Sequence, residues 1–186
     1  MSLLAVALAA SISGSVQDRR PCPPVCSTTI NLQIVPTAQQ RGQPGRYFLA
    51  AFPVEGGQPN MAVGGYWTGS GWQVSAHPAS FRQASLSAVQ DRISIQHGLC
   101  ALAAESGVSG EFAILAGYGV DVLKLASDEA ETSAGDLSGD SPYAVEMRDA
   151  LAKFQGMQSP QLSDFAAARA MREDGSLSEI GRVRCE

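Results

Sequence analysis

The sequence predicts an α+β fold: an antiparallel β-meander packed against a long helix, with a helical C-terminal third and an apolar N-terminal helical arm. Three observations carry that prediction. TTINLQIV, residues 28–35, alternates apolar and polar side chains and opens a run of strand-like segments reaching Ser75. From Ser80 the apolar spacing changes to the helical period. Ser141-Pro142 and Ser159-Pro160 each set a capping serine before a proline, the pattern of a helix start.

Taken in order, residues 1–16 form an apolar arm or a signal-like segment. Leu4, Leu8 and Ile12 recur every fourth residue, which places them on one helical face. An export signal needs a basic flank before its apolar stretch, and no Lys or Arg precedes Leu3. The run is also shorter than the ~20 residues that span a bilayer, so membrane association beyond this segment is not expected. Residues 17–27 read as a connector, with PCPPVC stiffened by its prolines. Residues 28–186 read as one α+β domain.

Within that domain, Thr28–Val35 is a half-buried strand and RYFLAAFPV, residues 46–54, a strand covered on both faces. Residues 61–67 and 72–75 make a hairpin around TGSG. Residues 80–106 read as the long helix, with Leu86, Val89, Ile93, Cys100 and Ala104 on one face and Gly107 as its stop. Glu111–Leu125 returns to strand character with a bend at Gly117 and Gly119. Residues 127–141 read as an acidic loop. Two helices follow, one carrying Tyr143, Met147, Leu151 and Phe154 to a stop at Gly156. The other starts at Ser159-Pro160 and buries Leu162, Phe165 and Ala168. A short turn at Leu177 and Ile180 precedes RVRCE.

Composition narrows the function. Only 17% of residues are charged, and the net charge is −5. A surface so poor in charge suits a subunit that covers area against neighbours. Arg19-Arg20 is the only basic pair, too little for a nucleic-acid face. No nucleophile elbow, P-loop or dinucleotide fingerprint occurs. The two histidines, His77 and His97, have no carboxylate at a telling spacing. The acidic residues Asp128, Glu129, Glu131, Asp136 and Asp140 do not follow a calcium-loop pattern. No cofactor is expected.

Four cysteines admit two disulfides in an exported protein, Cys22 with Cys26 and Cys100 with Cys185. Four reduced thiols are the alternative. A weaker alternative is a metal set of Cys22, Cys26, His97 and Cys100, since His97 and Cys100 share a helical face. Interaction is expected at two places: Leu4, Leu8 and Ile12 of the arm, and Tyr66, Trp67 and Trp72 of the glycine-rich hairpin.

The sequence therefore reads as a non-enzymatic structural or adaptor subunit of a larger assembly. A phage virion component, such as a minor tail or connector protein, or a cell-surface appendage would fit. Its partners would be other protein subunits, further copies of itself included, in a virion or an extracytoplasmic setting. The rival readings are an exported disulfide-bonded binding domain and a small enzyme.

Overall fold

In the computed structural model of this chain, the described residues are 10–18, 28–62, 64–95, 98–135 and 159–185, with 145, 149, 152–153 and 156. In chain order they form β1 (Ser11–Asp18), β2 (Thr28–Val35), β3 (Pro44–Glu55), β4 (Gln58–Pro59), β5 (Gly64–Trp67), β6 (Trp72–Ser75), β7 (Arg82–Ser85), β8 (Val89–Ile95), α1 (Leu99–Glu105), β9 (Gly110–Val120), α2 (Val122–Gly135), α3 (Pro160–Glu173) and β10 (Leu177–Cys185). The architecture is mixed α+β with antiparallel sheets. One sheet has the order β1-β2-β8. The other has the order β10-β9-β3-β5-β6, with β4 and β7 also paired to β3.

The two sheets face each other across one core. Ile30, Leu32 and Ile34 of β2 meet Tyr47, Leu49 and Ala51 of β3 and Ile114, Ala116 and Tyr118 of β9, all buried. The alternation read from TTINLQIV is what turns this face inward. The buried tyrosines keep their hydroxyls bonded: Tyr47 Oη donates to the Ser87 carbonyl at 3.0 Å, and Tyr118 Oη donates to Gln40 Oε1 at 2.7 Å.

Several expectations are corrected. There is no simple meander, because β2 pairs with β1 and β8 rather than with β3. The long helix over 80–106 is replaced by β7, β8 and the short α1. Val89 and Ile93 share strand parity, and their β-branched side chains suit the pleated surface beside β2. The coincident spacing of Leu86, Val89 and Ile93 hides that alternation. The arm is not helical where it is described: residues 11–18 are β1, and Ile12 and Val16 lie against the core. Leu4 and Leu8 lie outside the described residues.

The C-terminal third is not wholly helical either. RVRC belongs to β10, whose register with β9 runs from Leu177↔Gly117 to Cys185↔Gly110. An irregularity between Glu179 and Gly181 breaks the alternation there and obscures the strand in the sequence. The acidic stretch after Asp121 begins as helix α2 rather than loop. Most of the helix expected from Pro142, with Tyr143, Met147, Leu151 and Phe154, lies outside the described residues; Gly156 is itself helical.

Helix α3 starts where expected. Ser159 Oγ accepts the Leu162 N–H at 3.2 Å, and Pro160 opens the first turn. Ala168 is buried as expected, but it packs on the sheet with Ala167 and Met171, while Leu162 and Phe165 are 47% and 53% exposed. The cause lies on β9. Gly117 and Gly119 are not a bend; they lie flat under α3, and a Cβ on Gly119 would overlap the Ala167 carbonyl. Backbone contact this close turns the alanine face of α3 inward.

Candidate functional site

Two sites stand out, one charged and closed, the other apolar and open. The charged one is built on Arg46, which β3 carries into the interior. Its Nε donates to Asp121 Oδ2 at 2.8 Å and its Nη1 to Asp164 Oδ1 at 2.8 Å. Arg46 is 6%, Asp121 0% and Asp164 9% exposed. The second carboxylate oxygens are also occupied. Asp121 Oδ1 accepts the Lys124 N–H at 3.1 Å, capping α2, and Asp164 Oδ2 accepts the Ser80 N–H at 3.2 Å. One guanidinium thus ties β3 to the start of α2, to α3 and to the loop at Ser80. No histidine joins the cluster among the described residues; Ser80 Oγ lies at its edge, accepting from Arg46 Nη1 at 3.5 Å, and the chemistry of the group is that of a lock.

The apolar site lies under α1. Leu99 and Ala103 bury one face of this helix. At its end Gly107, with φ of +67°, lets the Val108 N–H reach the Ala103 carbonyl at 2.8 Å and the Gly107 N–H reach that of Ala104 at 3.0 Å. Cys100 bonds covalently to Cys185 of β10, across 85 residues of chain. Between α1 and the sheet a cleft of about 180 Å³ remains open. Leu99, Leu102 and Ala103 roof it; Ala51, Phe112, Gly64 and Gly65 floor it. A Cβ on Gly65 would come no closer than 3.5 Å to any neighbour, so the missing side chain is part of the empty volume. Ser106 supplies the only polar side chain of the lining among the described residues. Such a cavity takes apolar groups and offers one hydroxyl as its described polar group.

A third, shallower groove of about 410 Å³ runs over the outer side of β1-β2-β8. Ser13, Ser15, Asn31, Gln33, Gln90 and Arg92 line it, and Asn31 Nδ2 donates to Ser15 Oγ at 3.1 Å. It has the composition of a solvated sheet face.

The residues singled out in the sequence are distributed as follows. Cys100 and Cys185 meet in the disulfide, which removes Cys100 from the metal set; Cys22, Cys26 and His97 lie outside the described residues. No cluster of three or more metal-ligating side chains occurs among the described residues. His77 is exposed on the loop after β6, its backbone N–H bonded to Ser75 Oγ at 2.9 Å.

Of the hairpin aromatics, Tyr66 is buried and Trp67 and Trp72 are half-buried. Tyr66 is buried edge-on to Phe52, with ring centroids 5.8 Å apart, and burial pushes its phenol pKa up while the Arg172 charge pulls it down. Trp67 and Trp72 stack edge-to-face at 5.9 Å against the main core. Trp72 Nε1 is a buried donor with no hydrogen-bond partner among the described residues. Sequence reasoning missed the Arg46 lock and the cleft. The cleft has one readable signal, the Gly64-Gly65 pair inside a strand pattern.

No helix among the described residues is long and apolar enough to cross a membrane. No family model, curated protein or solved structure matches this chain.

Proposed function

We propose that this chain is an extracytoplasmic, non-enzymatic binding subunit that joins another protein in an assembly. The observation that carries the reading is the apolar cleft beneath α1. It is a preformed cavity with no ionisable side chain among the described residues of its lining. The disulfide that fastens its roof supports the location, since such bonds persist in oxidising compartments. Low charge supports the assembly role, because 17% charged residues leaves much surface suited to cover. The fully bonded Arg46 cluster supports a structural reading of the one buried charged constellation described.

The test uses the protein from its native source. Intact mass after alkylation, with and without reductant, reads the state of Cys100 and Cys185. Cross-linking mass spectrometry reads the neighbours. The expected result is an oxidised pair and, with a carboxyl-reactive linker, a cross-link from the exposed Glu105 at the end of α1 to another polypeptide. Free thiols together with a monomer that cross-links only to itself would overturn the proposal.

A further inference from the structure

The cleft has a definite mouth, and the mouth lies at a sheet edge. Its floor residues Ala51, Phe112, Gly64 and Gly65 are buried, whereas Val74 and Val108 are 51% and 42% exposed and Ser106 is exposed. The opening is therefore framed by β6 on one side and the end of α1 on the other. Among the described residues, strand β6 terminates its sheet, pairing with β5 alone.

The hairpin register fixes which backbone groups face that edge. The Thr68 N–H donates to the Gly71 carbonyl at 3.0 Å, making this the bonded pair next to the turn. Bonded and non-bonded pairs alternate along an antiparallel ladder. Tyr66↔Gln73 is then bonded, and Trp67↔Trp72 and Gly65↔Val74 are not. Trp72 and Val74 accordingly turn their N–H and C=O groups outward, to the side where a further strand would lie. Val74 also shares its face with Gly65, so a residue added beside it projects over the cleft.

Resting on the binding role proposed above, we infer that β6 is an acceptor edge. An extended segment of a partner protein pairs with Trp72 and Val74 and inserts one leucine- or phenylalanine-sized side chain into the cleft. The volume fits one such group: a dry protein cavity of about 150 Å³ accommodates benzene, and this one is about 180 Å³. Backbone bonds along the edge would supply affinity and the cleft would supply side-chain selection.

The test is a titration of the full-length, oxidised, 15N-labelled protein with four probes, followed by NMR. They are the capped pentapeptide Thr-Thr-Phe-Thr-Thr, its Phe→Ala form, its form N-methylated along one edge, and toluene. The Phe peptide is expected to shift Gly65, Trp72, Val74 and Leu102 saturably. It should bind about tenfold or more tighter than the Ala form, as burial of an aromatic ring requires, and the N-methylated form should not bind. Gly65→Val, whose Cβ has ordinary clearance, should abolish Phe-peptide binding with the fold intact. Equal binding of the Ala or N-methylated peptides, or no saturable shift with the Phe peptide, overturns the edge inference. If toluene still binds the cleft in that case, the binding role stands without it; if toluene also fails, both fall.

Discussion

Two helices of this protein lie over glycines of the same sheet, with opposite results. On β9, Gly117 and Gly119 bring α3 into backbone contact, and Ala167, Ala168 and Met171 close the gap completely. On β5, Gly65 lies near Leu99 and Leu102 of α1, yet nothing fills the space its side chain leaves. A glycine in a strand therefore marks close approach in one place and a cavity in the other. The difference follows from how each helix is held. Helix α3 runs fourteen residues and is pinned by the Arg46–Asp164 bond at 2.8 Å. Helix α1 runs seven residues, buries only Leu99 and Ala103, and depends on a covalent tie.

That dependence yields the largest expected effect. Replacing Cys100 and Cys185 together by alanine removes a cross-link spanning 85 residues. The chain-entropy relation gives a loss of about 4.5 kcal/mol. Hydrogen exchange should show α1 losing protection before α3 does. If both helices lose protection together, they are not held independently and the contrast fails. Next comes Arg46→Met, which leaves Asp121 and Asp164 buried without their cation. A loss of about 4 kcal/mol is expected in denaturant unfolding. Arg46→Lys, which keeps the charge, should lose less than Arg46→Met; an equal loss would show that charge is not what dominates at this lock.

Gly119→Ala follows. Its methyl group would enter the Ala167 backbone, which cannot move aside as a flexible side chain would. A cost of about 3 kcal/mol is expected, read as a lower denaturation midpoint. A neutral result would mean that α3 slides easily and is not the tight member of the pair.

The same contrast explains what the sequence made legible. Strands with strict alternation, such as TTINLQIV, were readable because local pattern and tertiary burial agree. The Ser159-Pro160 start of α3 was readable because its cap is local. Residues 80–106 look helical in sequence because Leu86, Val89 and Ile93 satisfy the helical spacing by coincidence, while β8 takes its pairing from β2, far off in sequence. Which residues of α3 join Ala168 in the core is not legible, because the decision belongs to Gly117 and Gly119 on another element. The Cys100–Cys185 disulfide expected from the sequence is present, although spacing alone does not select it among the possible pairings. The Arg46 lock joins positions separated by 75 and 118 residues, which no local pattern encodes.

The smallest expected effect is the most discriminating. Gly65→Val adds a β-branched side chain to a strand position whose φ is not in the left-handed region and whose new Cβ would have Trp72 Cε3 at 3.5 Å and Leu102 Cδ2 at 3.8 Å. Valine loses less backbone entropy on folding than glycine and fills apolar space. The protein should therefore gain about 0.5 kcal/mol, observed as a slightly raised Tm. The sign is what matters. Cavities kept for binding are commonly filled at a gain in stability and a loss of function. Gly119→Ala and Gly65→Val are both small additions to a strand glycine beneath a helix, and opposite signs would separate a packing contact from a site. If Gly65→Val also destabilises, the floor of the cleft is packed as tightly as the α3 contact, and the cavity cannot be the place where this protein takes hold of another.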